Sequence, residues 1–313
     1  MSGPINTSTS PDTSPATPPE TACLERYSAR SADLAGLTVR RALPKRQRRS
    51  VGAWCFLDHF GPTTNNVMMN VGPHPHIGLQ TVTWLIEGQI MHHDSLGHEQ
   101  AIRPGQLNLM SAGNGISHAE ETPTNFTGRQ HGAQLWVAQP NETRFSAPAF
   151  EHHEELPRLD AGGMDITVMM GELDGLRSPA RIDTPLVGVV VEAHTASQTT
   201  IPLDATFEHA VVVLEGTLSL GGQQISPGEL VYIGTDRDEL ALRSTEGATA
   251  LVIGGEPFED ELIMWWNFVA RTDEEARAAY EDWQEGHERF GTVTSNLPRI
   301  DAPPFKLRRP SKG

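Results

Sequence analysis

Cysteine is almost absent from this sequence: Cys23 and Cys55 are the only two in 313 residues. Cys23 falls in a Ser/Thr/Pro-rich stretch, so no disulfide framework is implied, and a reducing compartment fits. No run of about 18 apolar residues occurs, so no membrane-spanning helix is predicted. The N-terminus has no charged segment leading into an apolar one, which argues against a signal peptide. The expected location is therefore the cytoplasm. Aromatic residues are scarce at 6%, yet the 37% apolar content suffices for β-barrels cored by Val, Leu and Ile. Cations are outnumbered: 24 Lys and Arg face 40 Asp and Glu, a formal charge of −16. Such a field repels polyanions, which argues against a nucleic acid or an anionic membrane as direct partner. The length allows two domains, each with its own core.

What is present is histidine in a particular spacing. His74-Pro75-His76 and His118-Ala119-Glu120 each pair two metal-binding side chains at i and i+2. On a strand those positions project from one face, so two strands would aim four donors at one point inside a barrel. Three imidazoles and a carboxylate suit iron, manganese, nickel, copper or zinc better than magnesium or calcium. Around both pairs the chain is strand-like and punctuated by turns at Gly61-Pro62, Gly72-Pro73, Glu87-Gly88, Pro104-Gly105 and Gly113-Asn114-Gly115. His118-Ala119-Glu120 also matches the His-x-Glu of zinc deaminases. Those require a downstream Pro-Cys-x-x-Cys, which this chain lacks.

Three blocks in order carry a resemblance to the pirin family of the cupin superfamily: Phe56-Leu57-Asp58-His59-Phe60-Gly61-Pro62, Pro73-His74-Pro75-His76-Ile77-Gly78, and Met110 to Glu120. Gly132-Ala133-Gln134-Leu135-Trp136-Val137 adds a fourth match, and the likeness runs from about residue 36 to about 290. The resemblance implies an all-β fold of two tandem cupin barrels, the double-stranded β-helix type, with a short C-terminal helix. It also implies that His74, His76, His118 and Glu120 hold one divalent transition metal, Fe(II). The implied activity is quercetin 2,3-dioxygenation, in which a small aromatic substrate and dioxygen react at the metal, the flavonol ring opens and carbon monoxide leaves. Glu120 then has a second role as acceptor of the substrate's proton. Pirins often carry a glutamate where this chain has Gln80, so a proton-transfer role at that position is in doubt, and a neutral amide is expected to alter the pocket.

Along the chain, residues 1–35 are expected to be a disordered tail, Ser-, Thr- and Pro-rich above all to about residue 24. Residues 36–150 are expected to form the metal-bearing barrel, with a polar link over 151–163. Residues 164–270 are expected to form a second barrel. It echoes the first, with Val212-Val213-Leu214-Glu215-Gly216 against Thr83 to Gly88, and Ser226-Pro227-Gly228-Glu229-Leu230 against Arg103 to Leu107. It keeps only His209 near the corresponding turn, so it is expected to be metal-free and to serve as structure, lid or wall. Residues 271–313 are expected to hold a helix and a basic tail. Thr272 and Glu275 suggest a capping box there, Ala276, Ala279, Tyr280 and Trp283 follow helical spacing, and Gly286 or Gly291 ends it.

The remaining histidines have simpler accounts. His59 is expected to be buried and bonded to Asp58 or a carbonyl. His92, His93 and His98 read as a polar hairpin that could edge the pocket mouth, and His152 and His153 as solvated. Met68, Met69, Met91 and Met110 are either core filling or pocket wall. The cations Arg40, Arg41, Lys45, Arg46, Arg48 and Arg49 are expected to offset nearby acids. The resemblance also implies a second function, an iron-binding, redox-sensing regulator that acts on a protein partner as transcriptional cofactor or enzyme modulator, and these cations, with Arg308 and Arg309, favour it. A purely structural bicupin would have no need of four ligands. Turnover separates the first two.

Overall fold

The computed structural model describes residues 24–34, 36–63 and 68–306. Alternating or wholly apolar runs form strands throughout, and among the described residues a single α-helix, Asp273–Glu285, follows them. A seven-stranded sheet runs Ala149–His153, Leu107–Ser111, Leu79–Glu87, His131–Ala138, Trp54–Phe60, Leu37–Leu43, Arg30–Leu34. A four-stranded sheet, Asn70–His76, Ile116–Glu121, Ile90–Asp94 and Glu99–Ile102, completes the first barrel. Its central strands carry few exposed side chains: Trp54–Phe60 and His131–Ala138 are buried along their whole length. A strand buried on both faces cannot alternate polar and apolar residues, which is why these runs read as continuous.

The second barrel is a nine-stranded antiparallel sheet built around two long strands, Glu208–Leu220 and Glu239–Gly255. Register shifts between Val213 and Glu215, and between Gly216 and Leu218, bend the first of these so that the sheet wraps its own core. Val189, Val191, Val211, Val213, Val231 and Val252 lie in that core. A second core joins the two barrels. Trp54 stands in it, fully buried, and its indole N–H points to the carbonyls of Val187 and Gly254 at 3.2 and 3.1 Å. Gly188 leaves room for this ring, since a Cβ there would lie 2.8 Å from it.

The ends of the chain depart from expectation by crossing over. Residues 25–34 are strands: Glu25–Ser28 pairs with Glu229–Gly234 of the second barrel, and Arg30–Leu34 with Leu37–Leu43 of the first. Arg26 anchors the first of these on Glu229 at 2.7 Å. Residues 1–23 lie outside the described residues. The link over 151–163 is also largely strand, because Ala149–His153 pairs with Leu107–Ser111 and Arg158–Ala161 with Met164–Met170.

The segment from residue 263 onward packs on the first barrel. Phe268 bridges to Ile77, the Val269 N–H donates to the Ile77 carbonyl, and the Ile300 N–H donates to that of Pro73. Gly78 permits this contact, with φ +65° and no Cβ to strike the Val269 carbonyl oxygen. The helix begins as its cap residues predict, Thr272 Oγ1 accepting the Glu275 N–H, and ends at Gly286 with φ 72°. Phe268, Ala279, Trp283, Phe290 and Ala302 seal this strap with apolar contacts.

Candidate metal centre

Strand pairing builds the site. Ile116–Glu121 lies between Asn70–His76 and Ile90–Asp94, with His118 opposite His74 on one side and opposite Asp94 on the other. Residues directly opposite in a ladder share a face, and so do i and i+2. His74, His76, His118, Glu120, His92 and Asp94 therefore all face the barrel interior. A bulge between His118 and Glu120 shifts the register, so that Glu120 pairs with Val71.

The three histidines converge, their candidate donor atoms all within 4.8 Å of one another, and each is buried. Each has its Nδ1 engaged: His74 with the Gly72 carbonyl at 2.8 Å, His76 with the Asn267 carbonyl at 3.1 Å, and His118 with His92 Nδ1 at 3.4 Å. A carbonyl can only accept, so Nδ1 of His74 and His76 carries the proton and Nε2 offers a lone pair. His76 Nε2 and His118 Nε2 lie 3.1 Å apart. Two imidazole nitrogens bound to one ion at ~2.1 Å and at right angles would be about 3.0 Å apart. The donor set thus fits a divalent transition ion.

Burial keeps these rings neutral. It holds the His74 imidazole down to about 4, and those of His76 and His118 well below the ordinary histidine value. Burial pushes the Glu120 carboxyl the other way, up to about 7. Glu120 lines the same cavity but stands outside the histidine cluster, its Oε1 3.5 Å from Thr83 Oγ1. The Thr83 hydroxyl also lies 2.9 Å from Gln134 Oε1, and with one proton it donates to one of them at a time.

The histidines open onto a cavity of about 570 Å³. One wall is the stacked pair Phe56 and Trp136, ring centroids 4.0 Å apart. Met264, Trp266, Asn267 and Ile300 reach it from the C-terminal strap. At the rim Arg41 grips the buried Asp58 through two bonds of 2.7 and 2.6 Å and lies over the Phe56 ring. Arg30 stands beside them.

Several expectations need correction. Gln80 does not line this cavity; its Nε2 donates to Ser111 Oγ across the ladder at 2.9 Å. His59 bonds neither Asp58 nor a carbonyl but His131, Nε2 to Nε2 at 2.8 Å, because Arg41 has taken Asp58. His92 lies in the expected hairpin, Ile90–Asp94 with Glu99–Ile102, but it is buried behind His118 and stacked on Phe150. His152 is half-buried on Asn108 at 2.7 Å. Met69 and Met110 belong to the core, and no methionine singled out from the sequence touches the cavity. The overlooked residues had one legible signal, since His92-His93-Asp94 repeats the i, i+2 spacing of the two metal motifs. Met264, Trp266 and Asn267 had none, being about 190 residues from His76.

In the second barrel His209 is buried with neither ring nitrogen hydrogen-bonded, beside a separate cavity of about 560 Å³. Among the described residues, His74, His76 and His118 are the one grouping of three metal-binding side chains. No described helix is long and apolar enough to cross a membrane.

Residues 36–137 match the pirin family, and residues 188–291 match the pirin C-terminal cupin domain. A Pseudomonas aeruginosa protein named "Putative quercetin 2,3-dioxygenase" is 48% identical, over 90% of this chain and 90% of its own length. A pirin-like protein of Caulobacter vibrioides is 35% identical over 83% of this chain and 92% of its own. The crystal structure of a quercetin 2,3-dioxygenase from Acinetobacter baumannii superposes with a TM-score of 0.87, at 44% identity, covering 91% of this chain and 97% of that one.

Proposed function

The chain belongs to the pirin family, and from that premise we propose that it is a metal-dependent dioxygenase opening the ring of quercetin or a similar flavonol, with His74, His76, His118 and Glu120 holding Fe(II). The observation that carries the reading is the convergence of three buried imidazoles at the base of a cavity walled by stacked aromatic rings. The metal would supply a Lewis acid for the substrate's oxygens and an electron partner for dioxygen.

The chain's own residues do the rest. Phe56 and Trp136 offer a face for a planar aromatic ring, and Met264 and Trp266 close over it and exclude water. Asn267 gives its carbonyl to His76 and so ties closure of the strap to the metal site. Glu120 gives up its contact with Thr83 to complete the donor set, and its carboxylate takes the proton of the substrate hydroxyl.

The regulatory alternative drew on the cations of residues 40–49. Arg41 is committed to Asp58, Arg48 to Glu25 and the Tyr232 ring, and Lys45 and Arg40 to backbone carbonyls. Two of the six, Arg41 and Arg48, are thus paired with acids, while Arg40, Lys45, Arg46 and Arg49 keep their charge and Arg40, Arg46 and Arg49 are exposed. Arg308 and Arg309 lie outside the described residues.

The test is oxygen consumption with quercetin by protein reconstituted anaerobically with ferrous iron, alongside metal analysis. Stoichiometric iron and turnover are expected, both lost in His118→Ala, with turnover also lost in Glu120→Ala. Stoichiometric iron without turnover moves the balance to the regulatory reading. A His118→Ala protein that keeps its full metal content overturns the ligand set.

A further inference from the structure

His74 and His76 are each fixed by a backbone carbonyl, which no side-chain substitution removes. His118 is different: its Nδ1 meets another imidazole, that of His92, at 3.4 Å. Which ring donates is decided one step further back. His92 Nε2 lies 3.1 Å from Asp94 Oδ2, and Asp94 accepts the backbone N–H groups of Leu96 and His98 on its other oxygen at 2.9 and 3.0 Å. His98 Nδ1 adds a contact to the same carboxylate at 2.9 Å. Asp94 is thus an acceptor, and His92 must place its proton on Nε2. A neutral His92 then has only a lone pair at Nδ1. His118 must donate from its own Nδ1, and its Nε2 is left bare toward His76.

We propose that Asp94 and His92 form a two-link relay that fixes the tautomer and orientation of His118 as an Nε2 ligand, making His92 a positioning residue of the metal centre. The inference rests on the metal-site reading above. His92 is suited to this task because it cannot turn away. Its strand is paired on both sides, its ring is stacked on Phe150 with centroids 4.3 Å apart and planes within 9°, and it is 4% exposed. Its partner Asp94 is as deeply buried. Outer partners of this kind usually change metal affinity about 10- to 100-fold when removed.

The test uses the full chain, stripped of metal and titrated with Co(II) against a chromophoric chelator, with the visible Co(II) spectrum recorded at saturation. His92→Phe keeps a ring on Phe150 and removes the acceptor. It is expected to bind Co(II) about 10- to 100-fold more weakly and with a shifted spectrum. His92→Gln restores a carbonyl toward His118 and an amide toward Asp94, and is expected to recover most of the affinity. Wild-type affinity and spectrum in His92→Phe overturn the relay while leaving the metal site standing. A wild-type chain that takes up no Co(II) overturns the metal site itself, and the relay with it. Should His92→Phe fail to fold, the Zn(II)-loaded wild type decides by ¹H–¹⁵N spectra of its histidines. Protons on His118 Nδ1 and His92 Nε2 support the relay, and the opposite tautomers refute it.

Discussion

His59 and His131 show what burial does to a pair of facing histidines. Their Nε2 atoms are 2.8 Å apart, so one donates and one accepts, and the accepting ring cannot be protonated there without breaking the contact. Burial, and then the facing His131 ring, hold His59 down to about 3, and burial alone holds His209 down to about 4. Both groups titrate near 6.5 once unfolded. Below 6.5 the unfolded chain binds protons that the folded chain refuses, so stability is complete above that pH and declines as the pH falls. Each group contributes a slope of about 1.4 kcal/mol per pH unit between about 6.5 and 4. Urea unfolding of the metal-free chain at pH 7, 6 and 5 should show this loss, and His209→Gln should flatten it. A midpoint constant from pH 7 to 5 would contradict the assignment.

At the scale of elements, the turns are the readable signal, since they bound strands that are buried on both faces and do not alternate. The helix is the clearest case, with its first cap and its terminating glycine both written locally. Only the second half of the capping box changed hands: Glu275 turns away to accept the Arg271 N–H at 2.8 Å and to clamp Arg144 at 2.8 and 2.9 Å. That clamp ties the helix to the first barrel. Thr272→Ala should cost about 1 kcal/mol, the usual value of an N-cap, measured by urea unfolding. An unchanged midpoint would mean that the Arg144 clamp alone sets the helix start. The strand Ile90–Asp94 was less legible, because a run of histidines and an aspartate looks solvent-facing until the neighbouring strand covers it.

At the scale of the whole molecule the barrels are interlocked rather than strung together. The chain's first described strand closes the second barrel, and its last described segment closes the first. Between them Trp54 bridges the two cores with one indole N–H shared by two carbonyls. Trp54→Phe leaves both carbonyls buried without that donor. The expected cost is about 1–3 kcal/mol on unfolding, shared by the two barrels because the transition should remain a single one. Two separate transitions in the variant would show that Trp54 alone couples them; a wild-type midpoint would show that it couples nothing.

The sequence by itself determined the β architecture, the helix and the histidine spacing, because each depends on residues within a few positions of one another, and it showed the duplication as two similar local patterns far apart in the chain. Strand alternation put His74 with His76 and His118 with Glu120 before any tertiary contact was known. The tertiary structure decided which strands lie side by side, and through that everything around the donors. It buried His92 and Asp94 behind His118, took Gln80 out of the cavity, and brought Met264, Trp266 and Asn267 over a site almost two hundred residues away. It also made Glu25–Ser28 a strand of the second barrel and laid the segment from residue 263 to residue 306 against the first. Local propensity cannot encode such choices, since they follow from which apolar faces remain uncovered once the barrels have closed.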